Sequence, residues 1–141
     1  MSHSSALGRF EGLGYAALRM VSGFLFSFHG MQKIFGWLSE KAGPEVGSQL
    51  WFGGLIELVC GVLVALGLFT RWAAFLASGT MAVAYFQYHW AFAFADWKWL
   101  PVVNKGELAV VYCFVFLYIA LRGAGRAGLD GLLFRGHDRQ G

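Results

Sequence analysis

Residues 51–69 read WFGGLIELVCGVLVALGLF, a run of apolar and small side chains interrupted by one charge, Glu57. The run is close to the ~20 residues that cross the ~30 Å hydrocarbon core of a bilayer. A carboxyl group in the middle of such a helix is costly, so it faces protein or a wet cavity and requires a partner. The reading of the chain therefore turns on what Glu57 meets.

Composition agrees with a membrane setting. The chain is 57% hydrophobic and 13% charged, whereas an ordinary soluble domain carries roughly 25% charged residues. Its 141 residues form one expected domain, 1–141, with no room for a separate soluble catalytic unit. The first apolar run is too long for a signal-peptide core and no small-residue cleavage site follows it, so it is expected to stay attached. Cys60 and Cys113 fall in different apolar runs without Cys-x-x-Cys spacing, which points to buried structural cysteines and to no metal site. The net charge of +3 comes from loop arginines and lysines that read as a topology signal, not as a nucleic-acid surface.

Four transmembrane helices are expected, at about 13–35, 50–69, 72–88 and 107–121, followed by a basic tail, 122–141. The fold class is thus all-α, a four-helix membrane bundle. Only Thr70–Arg71 separates the second and third helices, making them an antiparallel hairpin. Arg9, Arg71, Arg122, Arg126, Arg135 and Arg139 gather on the side of both termini. Opposite them lie Lys33, Lys41, Lys98 and Lys105, interleaved with Glu40, Glu45 and Asp96. Cytoplasmic loops retain Lys and Arg, which puts both termini in the cytoplasm. Residues 39–49 form a polar outer loop with Gly43–Pro44, and residues 89–105 an outer loop whose aromatic density suits the membrane interface. In the tail, Leu129, Leu132, Leu133 and Phe134 form an apolar patch expected to dock on the cytoplasmic surface.

Polar residues converge near the outer side. His29 and Lys33 share a helix face with Gln32 beside them, Glu57 lies about two turns into the second helix, His89 ends the third, and Asn104, Lys105 and Glu107 begin the fourth. Lys33, His29 and Glu107 are the expected partners of Glu57. Arg19 is the other deep charge; it either snorkels to the inner headgroups or reaches toward Glu57. Asn104 is also a natural N-cap of the fourth helix, and Glu107 suits the positive end of its dipole. Glycines 23, 30, 36, 53, 54, 61, 67 and 79 are expected to permit close helix packing.

The runs Leu18–Arg19–Met20, Gly23 and Phe28–His29–Gly30–Met31–Gln32–Lys33–Ile34–Phe35–Gly36 resemble the first helix of the DoxX family. Phe52–Gly53–Gly54–Leu55–Ile56–Glu57 resembles its second helix and Gly67–Leu68–Phe69–Thr70–Arg71 its hairpin turn. Asn104 to Glu107 resembles its Asn-Gly-Gly-Glu element, with Lys105 in place of the first glycine. The resemblance implies a small four-helix protein of the bacterial cytoplasmic membrane. Some members are described as the membrane subunit of a thiosulfate:quinone oxidoreductase and others as partners of redox-defence enzymes.

Two functional classes follow. In one, the chain is the quinone-facing subunit of a redox complex with a protein partner. Glu57 and His29 then handle protons, while Lys33, His89, Glu107, Asn104 and Gln32 hold the substrate; no haem, flavin or iron–sulfur spacing is recognisable, so quinone is the candidate substrate and not a resident cofactor. In the other, it is a non-catalytic membrane anchor whose polar cluster serves packing. A transporter is disfavoured by the lack of an inverted repeat, although a homodimer would supply a missing wall.

Overall fold

Two long helices, α1 (Glu11–Phe35) and α2 (Gln49–Leu66), lie antiparallel along a seam of glycines. In the computed structural model, which describes residues 7–134, Gly23 faces Gly61 and Gly30 faces Gly54. Seven residues separate Gly23 from Gly30 on α1 and Gly54 from Gly61 on α2, which keeps both glycines of each helix on one face. A Cβ at Gly30 would overlap the backbone of Leu58 and Gly54, and one at Gly61 would fall 2.6 Å from the Ser27 nitrogen. These four glycines therefore set the distance between the helices. The other four have different roles: Gly36 and Gly67 end helices in left-handed conformations (φ 66° and 72°), and among the described residues no atom across an interface comes within 4 Å of a Cβ built on Gly53 or Gly79.

Helix α3 (Thr70–Ala84) runs directly into a π-helical turn, Tyr85–Trp90, and α4 (Glu107–Arg122) packs against α3. The bundle is thus an α1–α2 pair and an α3–α4 pair joined through α2 and α3; the backbones of α1 and α4 stand further apart and meet through long side chains, Phe26 on Phe116 (4.6 Å between ring centroids) and Arg122 on Glu11 (2.9 Å). Phe26, Val64, Phe116 and Ile119 are fully enclosed at its centre. Ser48 caps α2 through its hydroxyl, which accepts from the Trp51 amide at 3.2 Å.

The expected Thr70–Arg71 link is displaced: the turn comprises residues 67–69, and Thr70 and Arg71 already belong to α3. The cause is Asp130, whose carboxylate accepts from the amides of Phe69 (2.7 Å) and Thr70 (2.9 Å). It supplies the capping acceptor that the local sequence lacks. Asp130 begins a short tail helix, Asp130–Phe134, anchored by Leu129 N–H to Leu66 C=O (3.3 Å) and Asp130 N–H to Gly67 C=O (2.8 Å). The tail therefore docks through its backbone and Asp130, whereas Leu132 and Leu133 of the expected apolar patch remain exposed. Residues 1–6 and 135–141, with Arg135 and Arg139, lie outside the described residues.

Arg19 neither snorkels nor approaches Glu57. It has no exposed surface, and its guanidinium donates to the carbonyls of Val64 (2.5 Å), Ala65 (2.8 Å) and Ala127 (3.0 Å). It closes the end of α2, where the last carbonyls have no intrahelical partner. Arg71 does the same for α4, donating to Ala120 (3.0 Å) and Leu121 (2.6 Å).

Four main helices stand where four were expected. Among the described residues, α2 alone is both long and apolar enough to cross a bilayer, with a mean hydropathy of 1.9 over 18 residues. Helix α1 has 25 residues but includes Glu11, Arg19 and Lys33, and α3 and α4 have 15 and 16. All four present large apolar side chains outward, among them Phe24, Phe52, Phe75 and Phe114.

Candidate functional site

Glu57 is placed by the α1–α2 seam. Because Gly54 has no side chain, the Lys33 stem lies across it, with the Lys33 Cδ 3.2 Å from where a Gly54 Cβ would stand. The Lys33 ammonium then reaches Glu57 Oε1 at 2.6 Å. Glu57 is 2% exposed, and its second oxygen, Oε2, has no hydrogen-bond partner among the described residues. A buried carboxylate oxygen left unpaired is unusual, since most buried polar atoms are satisfied.

The pair borders a cavity of about 220 Å³ lined by Phe26, His29, Lys33, Glu57, Met81, Ala84, His89, Lys105, Leu108, Ala109 and Tyr112. Its ionisable groups come from α1, α2, the π turn and the segment before α4. The wider helical turn of residues 85–90 positions His89, whose Nδ1 lies 3.3 Å from the Asn104 carbonyl. Such π turns recur at functional sites. Tyr112 lies edge-on to His29 (6.2 Å between centroids) and stacks on Phe116 (5.5 Å). With two lysines and two histidines around one carboxylate, the arrangement favours a ligand that carries negative charge or accepts hydrogen bonds.

Of the sequence candidates, Glu57, His29, Lys33 and His89 thus meet at one cavity, joined by Lys105. The others do not line it. Gln32 donates to the Leu38 carbonyl (3.1 Å) beyond the end of α1. Asn104 is not the N-cap of α4, which is Gly106; its side chain accepts from the Gly106 amide (2.8 Å) and donates to Lys98 C=O (2.9 Å), holding the turn that leads into the helix. Glu107 is exposed in the first turn of α4, where its charge suits the dipole. Lys105 has φ 60°, a left-handed conformation that the glycine expected at this place adopts without strain. Tyr112 was not singled out from sequence; its only signal is a polar-tipped ring a turn and a half into α4.

A DoxX family model matches residues 14–90. It takes in the α1 and α2 motifs and the hairpin turn but stops short of the Asn104–Glu107 element. A Haemophilus influenzae protein described as uncharacterized is 41% identical over 123 residues, spanning 85% of this chain and 90% of its own length. No solved structure matches the chain. Since the family match covers more than half of the chain, on the helices that hold Lys33 and Glu57, the protein belongs to the membrane-associated DoxX family.

Proposed function

We propose that the chain spans the bacterial cytoplasmic membrane four times, with both termini inside, and forms the quinone-facing subunit of a redox complex. Outward apolar side chains on all four helices support the membrane reading, because soluble monomers seldom expose contiguous apolar surface on this scale. Helix α3 and its π turn run on over residues 70–90, together a membrane-length segment. Helix α4, at ~1.5 Å per residue, falls somewhat short of ~30 Å and is accommodated by local thinning.

The observation that carries the redox reading is the unpaired Glu57 Oε2 beside a cavity bordered by His29, His89, Lys33 and Lys105. Reduction of a quinone consumes two electrons and two protons. In this reading the electrons come from a partner protein, and the chain's part is to hold the ring and deliver protons. Glu57 and His29 exchange protons with the ring oxygens, and the lysines stabilise negative charge that develops there.

Purification in a mild detergent, with extraction of bound quinone and identification of co-purifying protein, is the first test. In the resulting complex, Glu57→Gln and His29→Gln should each lower quinone reduction by ~10²-fold or more while leaving insertion and partner binding intact. Unchanged turnover with weakened stability or partner binding would assign the cluster to an anchoring role instead.

A further inference from the structure

The Lys33–Glu57 pair also borders a second space. A groove of about 350 Å³ between α2 and α3 is walled by apolar side chains such as Phe52, Ile56, Phe75 and Val83, yet shares Lys33, Glu57 and Ala84 with the polar cavity. Gln49 and Tyr88 line it too, and Gln49 is hydrogen-bonded to Gln87 at 2.6 Å. A space with an apolar body and a charged pair at one wall is shaped for an amphiphile.

Two features point to what fills it. First, the polar cavity, at about 220 Å³, is below the ~300 Å³ at which pockets for whole ligands begin. A ring seated there leaves the remainder of its molecule outside, and the groove is the adjoining space. Second, Gly53 on α2 and Gly79 on α3 both line the groove, and a Cβ on either would meet nothing within 4 Å among the described residues. A glycine inside a helix weakens it relative to alanine, and these two bring no close backbone approach in return. Their structural effect is to keep the groove open.

We infer that the α2–α3 groove is the lateral entrance and chain-binding site for the apolar tail of the quinone whose ring occupies the polar cavity. The inference rests on the quinone reading above. The ring passes from the lipid between α2 and α3, over Gly53 and Gly79, to the Lys33–Glu57 pair, and the tail stays in the groove with its far end in the bilayer.

The test compares two probes on the purified protein in detergent: a dimethoxy-methyl-benzoquinone without a side chain, and the same ring bearing a decyl chain. Partitioning into micelles affects wild type and variants alike, so the comparison across proteins isolates the groove. At equilibrium the decyl compound should bind the wild type about tenfold more tightly or better, and Gly79→Leu and Gly53→Leu should each erase that advantage while leaving the chainless ring, whose seat in the polar cavity contains neither glycine and whose equilibrium affinity does not depend on its entry path, within twofold of wild type. If the advantage survives in both variants, the tail lies elsewhere and the inference fails although the quinone reading stands. Variants that displace co-purified phospholipid but alter neither quinone would identify the occupant as an ordinary acyl chain, which also overturns it. If neither probe binds the wild type, the quinone reading falls and this one with it. Should one variant misfold and lose both probes, the other, on a different helix, decides.

Discussion

Replacing Gly30 by alanine tests whether the glycine seam fixes the bundle. The new Cβ would stand 2.5 Å from the Gly54 carbonyl oxygen and 2.7 Å from Leu58 Cα, whereas ordinary contacts begin at 3.4 Å. All these neighbours are backbone, so relief requires α1 and α2 to part by roughly 1 Å along the seam. A gap of ~0.5–1 Å forfeits a quarter to a half of the dispersion attraction at each contact it opens, and overpacked interiors lose about 1–3 kcal/mol. Alanine returns about 1 kcal/mol through helix propensity, and Gly53→Ala supplies the control, since it receives that gain with no overlap. Equilibrium unfolding in mixed detergent micelles should therefore place Gly30→Ala about 1–3 kcal/mol below Gly53→Ala. Equal stabilities would show that the helices are not held at the separation described and would undermine the placement of Lys33 on Glu57.

Lys33→Met should destabilise the fold by about 3 kcal/mol, the low end for breaking a buried pair because Lys33 is partly exposed; adding Glu57→Leu should restore most of it. A Lys33→Met protein as stable as wild type in the same unfolding assay would mean the pair does not hold α1 to α2. For topology, single cysteines introduced as Gly43→Cys and Asp96→Cys into a chain lacking Cys60 and Cys113 should react with an impermeant thiol reagent from outside the cell. Labelling only after the cytoplasmic face is opened would reverse the proposed orientation.

Much of the scaffold was legible because apolar run length is a local property, and Glu57 marks the point that needs a partner. The glycines were legible only as a group: eight were expected to permit close packing, and which four, Gly23, Gly30, Gly54 and Gly61, form the α1–α2 seam depends on which helices face each other. The partner itself was not legible: His29, Lys33 and Glu107 lie at similar depth, and the choice depends on the bare surface of Gly54 that lets the Lys33 stem lie flat. Gln32 and Asn104 look like site residues in sequence because polarity near a helix end signals local backbone bonding and ligand binding alike. Tyr112 was missed because a tyrosine in an apolar helix is ordinary until its neighbours are known. The start of α3 was misjudged because its cap, Asp130, lies 60 residues beyond the amide it receives.

Arg19 carries a consequence for how the protein is made. Its hydrogen-bond acceptors lie 45, 46 and 108 residues later in the chain, so when the first helix leaves the ribosome none of them exists. A buried guanidinium without acceptors is poorly tolerated in hydrocarbon, which favours holding α1 at the membrane surface or in the insertion machinery until α2 has followed. The third bond forms only after residue 127 has been synthesised, with α3 and α4 already in place. A single residue near the beginning of the chain thus ties completion of the first helix to arrival of the last segment, and in a chain truncated before Ala127 that donor lacks its acceptor.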